Sequence, residues 1–307
     1  MQSQLRLAFL ALILPPLFWS GNTVLGRLTV THVPPLTLNA LRWGLAALLF
    51  VPFAYQHVKR DWPVLWQYRW RVLGLALCAA TGYNSFLYLG LRSTSIVNAA
   101  LINATTPAVV GVLSAVLLRN HLTRWQLIGA VVSMVGVLQI AVRGDWASLA
   151  DVGLHIGDVY VFAGVVLYGL YTVLLRFAPK VHAFSFMQAI FVIGTIGTLV
   201  WMGIYWLTGS GSLALNVPIS QVMWPIVYMA IFASIGATFF WNYGVQQIGA
   251  IRAGYFVNLI PAFSIVWALL LIGEEIRLYQ VVGMALVCVG IAFALMARRQ
   301  TVSKSED

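Results

Sequence analysis

Ten apolar runs of membrane-spanning length organise this chain, at about 5–29, 35–55, 71–91, 95–118, 124–142, 157–178, 184–208, 221–245, 251–272 and 278–297. A bilayer core about 30 Å thick takes about 20 helical residues to cross, and it offers the backbone no hydrogen bonds. A spanning segment must therefore satisfy its own amides as a helix or close into a barrel. Period-two alternation is absent from these runs, which leaves helices. Composition agrees: 61% of the residues are hydrophobic and 8% charged, where a soluble domain carries about a quarter charged. The net charge of +10 could suit nucleic acid, but the basic residues sit in short loops between apolar runs, where they orient a membrane protein. No nucleic-acid partner is expected. The expected partners are the bilayer and a small molecule, with the protein a monomer or homodimer.

The runs repeat. Gly82, Phe86, Gly90, Ala99, Pro107, Ala108, Val112, Leu117, Gln126, Gly129, Val135 and Gly136 recur without a gap, 154 positions on, as Gly236, Phe240, Gly244, Ala253, Pro261, Ala262, Val266, Leu271, Gln280, Gly283, Val289 and Gly290. A fainter match sets Thr23–Arg27 against Thr172–Arg176. Two copies of five spans put the second copy into the membrane from the opposite side, because five is odd. The expected fold is an all-α integral membrane protein of ten transmembrane helices, arranged as two inverted-topology five-helix repeats. Residues 1–142 form the first copy, 143–156 a polar linker, 157–297 the second copy and 298–307 a cytoplasmic tail. Inversion is the arrangement by which carriers alternate access.

Lysine and arginine set the orientation. Arg6, Lys59, Arg60, Arg69, Arg71, Arg119, Arg124, Arg176, Lys180, Arg252, Arg298, Arg299 and Lys304 fall on one side; Arg27, Arg92, Arg143 and Arg277 fall on the other. The richer side is cytoplasmic by the positive-inside rule, so both termini are expected inside a cytoplasmic (inner) membrane. Trp62, Trp66 and Trp70 read as interfacial anchors on the first cytoplasmic loop, and Trp146 as one outside. Pro15-Pro16, Pro107 and Pro261 lie inside spans, and each should kink or break its helix.

Several short segments carry a family likeness. They are Phe18-Trp19-Ser20-Gly21-Asn22, Ala40-Leu41-Arg42-Trp43, the repeats around Pro107 and Pro261, and the linking segments Arg119–Gln126 and Gly273–Gln280. With them the chain resembles the drug/metabolite transporter superfamily, in its ten-helix branch with two EamA-type halves. Gly273-Glu274-Glu275-Ile276 matches the family's Gly-Glu-x-Leu/Ile pattern, and Arg119-Asn120-His121-Leu122 departs from it. The resemblance implies a cytoplasmic-membrane carrier, commonly an exporter of amino acids or other metabolites, and it does not choose the substrate.

A midplane site needs polar side chains facing the bundle interior. The candidates for substrate binding are Trp19, Asn22, Arg42, Tyr83, Asn84, Tyr88, Asn98, Asn103, Tyr168, Tyr171, Trp241, Asn242, Tyr255 and Asn258, with Pro107 and Pro261 as helix breaks. Asn84 and Tyr88 are four apart on one helix face, Trp19 and Asn22 three apart, and Tyr168 and Tyr171 three apart. Singly, such an asparagine can be interhelical glue and such an aromatic a belt residue. Arg42 is the one cation well inside a run. It either holds an anionic group such as a substrate carboxylate, or it snorkels outward or caps carbonyls freed by a broken helix. Gly129, Ser133, Gly136, Gly283 and Gly290 suit close helix contact, either inside the molecule or between two copies.

No Asp, Glu or Lys lies near a run's centre, so a site for cationic drugs lacks its counter-charge and a proton relay lacks its carboxylate. Neutral or zwitterionic substrates are expected: amino acids first, with nucleosides or drugs as the alternative. The histidines fall in loops or at run ends, which disfavours an intramembrane enzyme. Cys78 and Cys288 lie within apolar runs as small hydrophobes, so no disulfide, metal or other cofactor is expected. No phosphate-cradling Gly-rich Lys-Ser/Thr motif is present for ATP-driven transport.

Overall fold

The computed structural model describes residues 2–120, 122–151, 153–209, 217–272 and 277–296. His121, the Gly273–Ile276 motif and the 298–307 tail lie outside the described residues, as do Arg298, Arg299 and Lys304. Among the described residues, ten helices are long and apolar enough to span: Arg6–Thr29, Pro35–Gln67, Arg69–Ser93, Asn98–Leu118, Arg124–Ala141, Ile156–Phe177, Ala183–Leu207, Ile219–Ile248, Ala250–Trp267 and Leu278–Met296. They are called the first to tenth spans. No strand occurs among the described residues.

The second span overruns its expected end. It continues as one helix to Gln67 through Pro52 and Pro63, and the third begins at Arg69. Trp62 and Trp66 therefore sit on a helix rather than in a loop. Both are more than half exposed, as is Trp70. The first span also stays a single helix through Pro15 and Pro16, where the sequence suggests a kink. Proline is tolerated in spans that neighbouring helices pack against.

Four spans are interrupted, in matching pairs. The fourth divides at Thr105 into Ile96–Ala104 and Thr106–Leu118. Pro107 lies in the first turn of the second piece, where its missing N–H breaks no helical bond. The ninth passes from Ala250–Gly254 through a 3₁₀ turn, Tyr255–Asn258, into Leu259–Ile272, which contains Pro261. The third span carries a π-helical segment at Leu77–Tyr83 and the eighth one at Met229–Gly236. The 154-residue shift lays the first π segment over most of the second, so the copies share a backbone irregularity as well as residues.

Each half packs against its copy. The second span packs on the seventh and the fifth on the tenth, while the first meets the eighth and the third meets the sixth. The fifth–tenth contact is made by the small residues. A Cβ on Gly136 would stand 2.7 Å from the Gly283 carbonyl oxygen, and one on Gly290 would stand 2.6 Å from the Ser133 amide nitrogen. Of the two uses the sequence allows for this stripe, the structure has the internal one. Arg27 donates to the Leu91 and Thr94 carbonyls at one end of the fourth span. Its counterpart Arg176 lines a cavity with Arg119, at the other end. Equivalent residues thus lie a full span apart, as inverted copies require.

Candidate functional site

Arg42 is the centre of the bundle's polar chemistry. It is 1% exposed and does not snorkel. Its Nε donates to Ser234 Oγ at 2.7 Å and its Nη2 to the Ala233 carbonyl at 2.9 Å. Its Nη1 faces three acceptors: Asn84 Oδ1 at 2.6 Å, Tyr88 Oη at 3.0 Å and Asn22 Oδ1 at 3.3 Å. Tyr88 donates its hydroxyl to Asn22 Oδ1 at 2.8 Å, and Asn84 Nδ2 reaches back to the Ala79 carbonyl in the third span's π segment. The guanidinium lies 5.0 Å from the Trp43 ring centre, close enough for a cation–π contact. Burying a charge is costly unless polar partners surround it. Here all of them are dipoles, and no carboxylate is among them.

Both π segments serve this cluster. The first precedes Asn84. The second supplies Ala233 and Ser234, whose hydroxyl also donates to Met229 O. A π segment widens the helix by one residue per turn and releases carbonyls from the regular ladder. The Ala233 carbonyl accordingly accepts from Arg42 and also from Trp19 Nε1, at 3.2 Å.

An aromatic group adjoins the cation. Tyr168 touches four other rings, with centroid distances of 5.5 Å to Trp19, 4.8 Å to Tyr83, 5.9 Å to Tyr171 and 5.5 Å to Trp241. Tyr171 donates to Asn242 Oδ1 at 2.6 Å. Trp19, Arg42, Trp43, Tyr83, Asn84, Tyr168, Tyr171 and Trp241 line a cavity of about 20 Å³, together with Ala79, Ile190, Ala233 and Thr238. That volume suits one water. One helical turn further along, Thr172 and Val173 open onto a cavity of about 760 Å³. Its rim carries Arg119, Arg176, Lys180 and Arg252, and no acidic residue is among the described residues lining it.

The opposite end is tied shut. The Asp158 carboxylate caps the sixth span by accepting from the His155 amide at 2.8 Å. It also accepts from Asn98 Nδ2 at 2.9 Å and from the Thr94 hydroxyl. Asn98 further donates to the Gly153 carbonyl at 2.9 Å. With Arg27 on Leu91 and Thr94, these bonds join the first, third, fourth and sixth spans.

Of the sequence candidates, Trp19, Asn22, Arg42, Tyr83, Asn84, Tyr88, Tyr168, Tyr171, Trp241 and Asn242 come together in one centre. Four do not. Asn98 belongs to the closed end. Asn103 donates to Ala99 O within its own helix, Tyr255 donates to Gln126 O, and Asn258 donates to Ser133 Oγ. The last two tie the ninth span to the fifth. Sequence reading missed Ser234, Ala233, Trp43 and Thr238. A serine and an alanine in an apolar run carry no signal of their own, but Trp43 adjoins Arg42 and Thr238 aligns with Asn84. It also missed Asn39, fully buried, which donates to Ala80 O, Ser85 Oγ and Thr198 Oγ1.

Known proteins resemble the whole chain. The model of the EamA-like transporter family matches residues 6–142 and again 155–296. The uncharacterized transporter YyaM of Bacillus subtilis (strain 168) is 29% identical over 281 residues, covering 91% of this chain and 90% of that one. An uncharacterized transporter of Archaeoglobus fulgidus is 24% identical over 94% of this chain and 99% of its own. One crystal structure superposes with a TM-score of 0.73 over 98% of this chain and 99% of its own, at 20% identity, and so shares the fold.

Proposed function

This chain belongs to the EamA-like transporter family, a multi-pass membrane transporter and not an enzyme, and we propose that it exports small metabolites by alternating access through the Arg42 centre. The observation that carries this reading is the contrast between the two ends. One end holds a cavity of about 760 Å³ one turn from the aromatic group. The other is held by Arg27, Thr94, Asn98 and Asp158. On this reading the wide cavity is the entry side and the bonded end the closed side of one step of alternating access. The cavity rim carries the residues that the positive-inside rule puts in the cytoplasm, which makes the cytoplasm the side of entry.

The substrate on this reading has a polar end for Arg42 and the amides and a flat apolar body for the rings. Amino acids and similar small neutral or zwitterionic solutes fit that outline. Counterflow in proteoliposomes tests it, with a panel of amino acids, their 2-oxo acids, nucleosides and cationic dyes. Saturable exchange of at least one small polar solute is expected, lost in an Asn84→Ala, Tyr88→Ala double variant that still inserts. Exchange of dyes alone, or wild-type exchange in that variant, would move the site elsewhere.

A further inference from the structure

Hydrogen-bonding capacity in the central cavity is weighted toward donors. Three of its lining side chains hold buried polar atoms with no protein partner: Trp43 Nε1, Trp241 Nε1 and the Tyr168 hydroxyl. The indole nitrogens can only donate, and the phenol can donate. Of the acceptors nearby, the hydroxyls of Tyr83, Tyr171 and Thr238 keep lone pairs, while the stronger amide and carbonyl oxygens are engaged. Asn22 Oδ1 takes two donors, Asn84 Oδ1 and Ser234 Oγ take Arg42, and the Ala233 carbonyl takes Arg42 and Trp19. Arg42 adds a positive charge, and the only ion pair among the described residues is Arg60–Asp61, on the exposed stretch of the second span. Buried donors left empty are costly, and so is a charge held by dipoles alone. A ligand relieves both if it brings oxygens and a negative charge.

We infer that the substrate is carried as an organic anion, a carboxylate on a flat apolar body with no ammonium group; the inference rests on the transport reading above. Two further features agree. The Nε and Nη2 groups of Arg42 form the edge of a guanidinium that grips a carboxylate in two parallel bonds. In the empty centre that edge is filled by Ser234 Oγ and the Ala233 carbonyl, two oxygens at 2.7 and 2.9 Å. They stand in for the two oxygens of a carboxylate. The approach is also positive, with Arg119, Arg176 and Lys180 lining the wide cavity and no acid among its described lining residues, which raises the local concentration of anions. The spans' lack of central carboxylates argues against cations, and the uncompensated guanidinium argues further, against net-neutral cargo. An ammonium beside Arg42 would meet a like charge, with only hydroxyl oxygens and no carboxylate among the described lining residues to accept from it, so among the solutes of that outline the anion is favoured.

Matched triads test this. Proteoliposomes are assayed for counterflow of phenylpyruvate, phenylalanine and phenethylamine, and of the indole and isobutyl equivalents. The 2-oxo acid of at least one body is expected to exchange about tenfold faster than its amino acid or amine, the scale of one charge-assisted hydrogen bond. Its net uptake should rise under an inside-positive potential. Tyr168→Phe, which keeps the ring, should raise half-saturation for the 2-oxo acid about tenfold, with little fall in melting temperature because the hydroxyl has no protein partner. Preference for the amino acid or the amine overturns the inference and leaves the carrier reading standing. Unchanged half-saturation in Tyr168→Phe also overturns it. If no triad member exchanges, the inference fails; exchange of another solute in the wider panel then keeps the carrier reading, and no exchange at all removes both.

Discussion

Asn84 and Tyr88 both bond the same nitrogen of Arg42, yet their removal should not be equivalent. Nη1 has two N–H groups and three acceptors, at 2.6 Å (Asn84), 3.0 Å (Tyr88) and 3.3 Å (Asn22). Tyr88→Phe removes one acceptor and leaves two for two hydrogens. It also frees Asn22 Oδ1 from the tyrosine hydroxyl, so Asn22 can close on the guanidinium. The net cost should be about 1 kcal/mol, that of an ordinary hydrogen bond. Asn84→Ala also leaves two acceptors, but they are the longer ones, Tyr88 at 3.0 Å and Asn22 at 3.3 Å; it gives up the shortest bond to the charge, worth about 1.5–3 kcal/mol, and the Nδ2 bond to Ala79 O, worth about another 1 kcal/mol. About 3 kcal/mol in all is expected. At about 2 °C per kcal/mol for a chain of this size, the apparent melting midpoint in detergent should fall by about 2 °C for Tyr88→Phe and about 6 °C for Asn84→Ala. Midpoints can be followed by retention of the monodisperse gel-filtration peak after heating, which requires no substrate. Equal shifts in the two variants, or the larger shift in Tyr88→Phe, would refute the idea that Asn84 anchors Arg42 and Tyr88 is its reserve.

Gly136→Leu places a side chain where even a Cβ would lie 2.7 Å from the Gly283 carbonyl and 2.8 Å from the Val287 nitrogen. Both are backbone atoms, so the fifth and tenth spans must separate. Overpacking should cost about 3 kcal/mol or more, seen as a lowered melting midpoint with unchanged oligomer mass; a change of mass alone would assign the stripe to an interface between copies. Ser234→Ala removes one oxygen from the carboxylate edge of Arg42. The empty protein should melt lower, while a 2-oxo acid that exchanges in the wild type should bind about tenfold tighter and turn over more slowly; weaker binding with a normal melting point would contradict the stand-in role. His182 stacks on His57 with ring centres 3.7 Å apart. Partial burial, then the charges of His57 and Arg60, hold His182 below its ordinary value, opposed by Asp61. A depressed folded value means the fold favours the neutral ring. Its contribution is present above about pH 6.5 and is lost as pH falls through the folded value. The melting midpoint should therefore drop on acidification from pH 7.5 to 5.5, and drop less in His57→Ala; an equal drop in both would discount the stacked pair.

The span count was legible because lipid imposes length and apolarity on every crossing segment, and the paired interruptions were foreshadowed by Pro107 and Pro261. Most of the central cluster was legible too, since Arg42, Asn84 and Trp241 are costly residues at span depth. What escaped was whatever the backbone contributes. A freed carbonyl was foreseeable as a partner of Arg42, but nothing in Met229–Gly236 marks a π segment, so neither the Ala233 carbonyl nor the Ser234 hydroxyl could be named as that partner. Asn98, Asn103, Tyr255 and Asn258 looked equivalent to Asn84 and Tyr88 because helical spacing reports which residues share a face and not which neighbour that face meets. The second span's end was misread for a related reason. Charges at Lys59–Asp61 and a proline at 63 resemble a loop, but a helix can project beyond the membrane with its polar turns in water.

The bonds of Arg42 also join the two repeats. Asn22, Asn84 and Tyr88 belong to the first copy, and Ala233 and Ser234 to the second. The eighth span cannot move away from the second span without giving up both bonds on the guanidinium's carboxylate edge. Left bare, that edge would be a buried charge with unused donors, so the empty centre resists the motion. On the proposed anion reading, a substrate carboxylate on the same edge would supply two oxygens of its own and remove the reason for the eighth span to stay. Binding of the anion and release of the second repeat would then be one exchange of acceptors. Reversal would follow when the anion leaves, because Arg42 must recover Ser234 and Ala233 or remain unsatisfied. A carrier working this way would couple occupancy to motion through a single side chain.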